Sequence, residues 1–126
     1  MTEKSIKFHG KVVAGDGIAG VDYDFPTANL HFIKEPDIDT GVYAAITEYK
    51  GQKFESVVCY GVGDPVKFEV HLFELDSDLL GEDLKVELLF KVSELIPWQS
   101  KERMRQKIFH DVELVHDYLN ERKKKA

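Results

Sequence analysis

From Ser5 to Val92 the chain alternates apolar and polar residues over short stretches broken by glycines, the pattern of half-buried β-strands. "SIKFHGKVVAG" is rich in β-branched and aromatic residues and stops in a glycine. "GVYAAITEYKGQKFESVVCYG" reads as a hairpin with "KGQ" as its turn. In "VKFEVHLFEL", Phe68, Val70 and Leu72 share one face while Glu69, His71 and Phe73 share the other. "EDLKVELLFKV" places Leu84, Val86, Leu88 and Phe90 together. The period then changes. Beyond Ser100, the residues Met104, Ile108, Val112, Val115 and Leu119 recur at steps of four, four, three and four, one stripe of an amphipathic helix. Ser100 suits an N-cap, Glu102 the first turn and the lysines after Arg122 the last, which predicts a helix from about Ser100 to about Arg122. Short strands followed by one long helix imply a mostly β fold, a small antiparallel barrel with the helix packed against it.

With 126 residues the chain is one domain, 1–126, long enough for a core and too short for two. Its net charge of -6 and a single basic run, "ERKKKA", argue against a partner that is duplex nucleic acid. Cys59 is the only cysteine, which excludes an internal disulfide and a thiolate cluster. No signal-peptide pattern opens the chain, and no run approaches the ~18 apolar residues of a membrane span. The expectation is a cytoplasmic monomer with no membrane partner. "MTEKS" and "KKKA" read as natural ends.

Gly15, Gly17 and Gly20 spell G-x-G-x-x-G, with Glu35 downstream, the fingerprint of a dinucleotide-binding turn. That turn must open a helix, whose N-terminus holds the pyrophosphate. Here "VDYDFP" follows, and Pro26 biases Phe25 away from helical angles. A Rossmann unit does not fit. The glycines remain either a simple turn or a loop that lets backbone amides approach a phosphate.

Pro26, Thr27 and Asn29 come next, in "FPTANL". In an extended segment Thr27 and Asn29 face the same side, and two neutral oxygens suit a hard cation such as Mg²⁺. The alternative is a proline-containing strand entry with no ligand. His9, His31, His71, His110 and His116 show no zinc-ligand spacing.

Taken together, "GKVVAGDGIAGVDYDFPTANL" at 10–30 resembles the glycine-rich entry and PTAN motif of riboflavin kinases. "DTGVYAA" at 39–45 is similar to that family's next strand. "FEVHLFELDSDLLGEDLKVEL" at 68–88 resembles its E-V-H-L segment and D-L-Y-G turn. "WQSKERMRQKIFHDVE" at 98–113 resembles the start of its C-terminal helix, with Asp111 closing the motif. The resemblance implies a six-stranded Greek-key barrel that transfers phosphate from ATP-Mg²⁺ to riboflavin, giving FMN and ADP. It further implies that Thr27 and Asn29 bind the metal and the nucleotide phosphates. On the same footing, Glu69 is the general base on the ribityl 5′-hydroxyl, and Gly15, Gly17 and Gly20 lie in a loop over the phosphates, next to Pro26.

Several positions depart from that pattern. Ile18 stands where an arginine is usual, and Tyr23-Asp24 replace Leu-Gly. Leu80 replaces the tyrosine of D-L-Y-G, and Val92-Ser93 replace Leu-Arg. "YGVGDPVKFEVHL" is short, with Asp64-Pro65 as the remnant of a longer segment. Loss of two arginines removes two fixed positive charges. The competing expectation is therefore an inactive flavin- or nucleotide-binding module on the same barrel. Whether a longer gene product fuses this domain to an adenylyltransferase stays open.

Overall fold

The alternating segments pair into antiparallel strands that close on themselves. The computed structural model describes residues 6–13, 28–31, 37–62, 67–75, 78–97 and 99–125. Within them lie β1 (Ile6–Val13), β2 (Ala28–His31), β3 (Gly41–Tyr49), β4 (Gln52–Val62), β5 (Lys67–Leu72), β6 (Asp83–Ser93) and α1 (Lys101–Lys125). The strand order around the closed barrel is β1-β2-β5-β4-β3-β6. Strands β3, β4 and β5 form a meander, and β6 returns to lie beside β3, which is the Greek-key order.

Local chemistry explains the tightest connections. Tyr49 pairs with Gln52, leaving Lys50 and Gly51 as a two-residue loop with φ of 50° and 79°. Positive φ at both positions matches the right-handed twist of the flanking strands. The "DLLG" stretch ends in a turn closed by the Glu82 amide donating to the Leu79 carbonyl at 2.9 Å, with Gly81 at φ 83°. That φ admits glycine at little cost and strains other residues. The Gly81 amide also donates to the Val12 carbonyl at 2.9 Å, which fastens the turn to β1.

Strand parity divides the apolar residues into two clusters. Val12, Leu30, Tyr43, Val58, Phe68, Val70, Leu84, Val86 and Leu88 fill the barrel. Val42, Ala44, Val57, Phe73 and Leu89 cover its outside and meet Val115 and Leu119 of the helix. Each of those two helix residues is almost fully enclosed, worth ~1.5–3 kcal/mol apiece relative to exposure. Phe73 stacks on His116 and Phe90 on Tyr118, with centroids 4.2 and 4.9 Å apart. His71 meets the edge of Phe73 at 5.5 Å and so belongs to this docking seam.

Phe90 corrects one expectation. The β3–β6 pairing slips between Ala44, opposite Phe90, and Ala45, opposite Leu88. Leu89 is the extra residue of that bulge, so Phe90 leaves the face of Leu84, Val86 and Leu88 for the outer one. A second slip sets Val42 opposite Ser93 and Tyr43 opposite Lys91. Bulges re-aim side chains in this way.

The helix starts where expected. The Arg103 amide donates to Ser100 Oγ at 3.2 Å and the Met104 amide to the Ser100 carbonyl at 2.9 Å, an N-cap. At the other end the helix runs on to Lys125, and Lys123 pairs with Glu55 of β4 at 2.7 Å.

Candidate active site

Register places two of the candidate residues, Asn29 and Glu69, in one row. Asn29 on β2 is the direct partner of Glu69 on β5, and Glu69 is in turn the direct partner of Cys59 on β4. Cys59 faces Val42 on β3, and Val42 faces Ser93 on β6. Directly opposed residues share a face of a sheet. For this row it is the outer face, because Val42 and Cys59 belong to the cluster beneath the helix. Glu69 therefore lies outside the barrel, on the side where Phe73 also sits, as its strand alternation predicts.

Although it is on the outside, Glu69 is only 7% exposed. Burial of a carboxylate is costly unless it is paired or hydrogen-bonded. Asn29, its neighbour, supplies the anomaly. Its Oδ1 is buried and accepts no hydrogen bond among the described residues. Such an orphaned acceptor costs ~1–3 kcal/mol. A ligand donor or a cation would relieve it. An amide oxygen is a hard ligand of the kind Mg²⁺ takes, so the residue present fits that ion. Thr27, the other expected ligand, lies outside the described residues, as do Gly15, Gly17, Gly20 and Pro26.

At the far end of the row the helix completes a network of which the sequence motifs named Ser93 and Asp111 but not Lys107. The hydroxyl of Ser93 donates to Asp111 Oδ1 at 2.6 Å. The Lys107 ammonium donates to Ser93 Oγ at 2.9 Å and to Asp111 Oδ2 at 2.5 Å. Asp111 is 5% exposed and the Lys107 side chain 17%. A positive charge missing from the strand at position 93 is thus present, carried by the helix instead. The signal was legible in part. Lys107 and Asp111 are spaced i,i+4 and border the apolar stripe, where an ion pair meets the core rather than solvent.

Cys59 sits between the two carboxylates. Burial pushes its thiol from 9.0 up to about 12, with Glu69 and Asp111 adding to the rise and Lys107 opposing it. The thiol is consequently protonated and a poor nucleophile at neutral pH. The linkage has a definite sign. Below pH 9 the thiol is protonated whether the chain is folded or not. Between pH 9 and about 12 only the unfolded chain loses the proton, so stability falls as pH rises through that window. In urea titrations at pH 8 and 10.5, Cys59→Ala is expected to lose less stability than the parent across that interval. An equal loss in both would show that Cys59 does not titrate this way.

Of the positions that depart from the resembled pattern, Ile18, Tyr23, Asp24, Asp64 and Pro65 lie outside the described residues. Leu80 is in the turn that leads into β6, 57% exposed. Among the described residues no helix is long and apolar enough to cross a membrane.

A bifunctional riboflavin kinase/FMN adenylyltransferase of Buchnera aphidicola subsp. Schizaphis graminum is 32% identical over 120 residues, 88% of this chain and 38% of that protein. The chain thus spans well under half the length of that relative. Among solved structures, one titled as a macrolide-efflux protein from Streptococcus pneumoniae superposes with TM-score 0.80 at 24% identity, covering 89% of this chain and 38% of that one. Riboflavin kinase from Trypanosoma brucei superposes with TM-score 0.64 at 18% identity, covering 95% and 82% respectively. At those identities the two structures speak to the barrel alone. A family model described as flavokinase, riboflavin kinase, matches residues 2–119, nearly the whole sequence. The chain belongs to the riboflavin kinase family.

Proposed function

We propose that this chain, acting as a monomer, phosphorylates the ribityl 5′-hydroxyl of riboflavin with ATP-Mg²⁺, giving FMN and ADP. The observation that carries the reading is the Asn29–Glu69 pair, an orphaned acceptor beside a buried carboxylate on neighbouring strands. Phosphoryl transfer needs positioning, charge neutralisation and a group to receive the hydroxyl proton. Glu69 takes that proton as the 5′-oxygen bonds to the γ-phosphorus and the bond to the β–γ bridging oxygen breaks. Asn29 and Thr27 would hold Mg²⁺, which offsets phosphate charge when bound. Gly15, Gly17 and Gly20, with Pro26 setting the entry to β2, would bring backbone amides over the phosphates.

Incubation with riboflavin and ATP-Mg²⁺, followed by chromatography for FMN and ADP, tests the reading directly. A spectral titration with riboflavin alone runs beside it. FMN formation that stops on removal of the divalent ion is expected. Flavin binding without product would favour the alternative, a non-catalytic binding module. Neither binding nor product would defeat both readings.

A further inference from the structure

The row that holds Asn29 and Glu69 extends one strand further. Val13 on β1 is the direct partner of Asn29, which is the direct partner of Glu69. Directly opposed residues share a face, so Val13, Asn29 and Glu69 stand side by side on the outside of the barrel. Val42, toward the helix end of the row, is enclosed, whereas Val13 is 41% exposed. Past the pair of Lys11 with Asp83, the Val12 amide donates to the Glu82 carbonyl and the Gly81 amide to the Val12 carbonyl, both at 2.9 Å. These bonds hold the Leu80–Gly81 turn beside Val13, and Lys11 Nζ adds a bond to the Gly81 carbonyl at 3.4 Å. Val13 and Leu80 are two of the three exposed large apolar residues among the described ones. Phe109, the third, is on α1 with the Arg105 guanidinium 5.6 Å from its ring centre. Single exposed apolar side chains are ordinary, but two side by side at the edge of a polar site form a surface that a ligand can cover.

Transfer geometry says which ligand. Acceptor oxygen, phosphorus and leaving oxygen lie roughly in line. With the acceptor hydroxyl at Glu69 and the phosphates at Asn29, the rest of the nucleotide extends on the far side of Asn29, toward β1. We propose that Val13 and Leu80 form an apolar seat for the base of the nucleotide donor and are specificity-determining residues of the transfer. The proposal rests on reading Asn29 and Glu69 as the phosphate end and the acceptor end of the site. Neither apolar side chain carries a hydrogen-bond donor or acceptor, so the seat packs against the flat face of a base and does not read its edge.

Calorimetric titrations of the whole chain with ATP-Mg²⁺ and with tripolyphosphate-Mg²⁺, which has the phosphates and no base, separate the seat from the phosphate site. Val13→Ser and Leu80→Ser are each expected to weaken ATP-Mg²⁺ binding by roughly three- to tenfold, the scale of a partly buried apolar contact. Affinities for tripolyphosphate-Mg²⁺ and riboflavin should stay unchanged. Leu80→Tyr, which restores the tyrosine of the D-L-Y-G pattern and can stack on a base, should bind ATP-Mg²⁺ at least as tightly as the parent. In steady-state assays the KM for ATP should rise in the serine variants while kcat changes little. Both positions are exposed, so melting temperatures near that of the parent are expected, and the affinities then report contact and not folding. Serine variants that bind ATP-Mg²⁺ as tightly as the parent overturn the proposal. So does an equal loss of tripolyphosphate-Mg²⁺, which would place the effect on the phosphate site, and so does a loss confined to riboflavin, which would seat the flavin there. The expected binding pattern without any FMN would strike the kinase reading and leave the seat standing. A parent chain that binds neither ATP-Mg²⁺ nor tripolyphosphate-Mg²⁺ overturns the donor reading and the seat together.

Discussion

Glu69→Gln is expected to lower kcat by ~10²–10⁴-fold, the contribution of a positioned general base. Glutamine keeps the shape and one acceptor oxygen but takes no proton at neutral pH, so riboflavin affinity should stay within the same order of magnitude. The strand geometry sharpens this expectation. Glu69 is enclosed on the outer face between Asn29 and Cys59. Glu74 is the control. It is exposed in the turn after β5 at φ 62°, and Glu74→Gln should leave turnover near that of the parent. Stopped-flow or steady-state measurement of FMN formation decides the matter. Turnover in Glu69→Gln within about twofold of the parent would make Glu69 a structural residue and remove the base from the scheme.

Asn29→Ala should weaken binding of ATP-Mg²⁺ by about tenfold to a hundredfold, the worth of a hydrogen bond or ligand contact to a charged group. Its expected effect on stability is the unusual part. Truncating a buried polar side chain normally destabilises, because a partner is left unsatisfied. The Oδ1 of Asn29 has no such partner among the described residues, so its removal strands no donor there. The melting temperature of the ligand-free variant should equal or exceed that of the parent, while calorimetry with ATP-Mg²⁺ shows the loss. Unchanged nucleotide affinity would place the metal site elsewhere. A large drop in melting temperature would mean that Asn29 serves the barrel and not a ligand.

The departures from the family pattern take on different weights once the fold is known. Replacement of tyrosine by Leu80 affects an exposed turn position, and Gly81, which the turn geometry needs, is retained. Replacement of arginine by Ser93 coincides with a lysine brought from the helix to the same spot. That lysine is paired with Asp111.

Much of the architecture was legible because its causes are local. A period of two marks strands wherever one face is buried, and the near-3.6 period after Ser100 marks the helix with its cap. The parity of β5 alone put Glu69 opposite Phe68 and Val70, and so off the barrel interior. The motif "PTAN" pointed to Asn29, though only as half of a site. What the chain could not declare is whatever depends on which strand meets which, and in what register. The direct pairing of Asn29 with Glu69 joins β2 to β5 across the crossover of the Greek key. The first bulge of β6 moved Phe90 to the outer face and the second returned Ser93 to it, since each inserts a residue that period-two counting does not anticipate. The Lys107–Asp111–Ser93 network exists only after the helix docks, because it is closed by a contact 18 residues apart in sequence. Sequence alone determined the elements and the candidate base. Tertiary structure decided its neighbours, because pairing and docking energies are summed over residues that are distant along the chain.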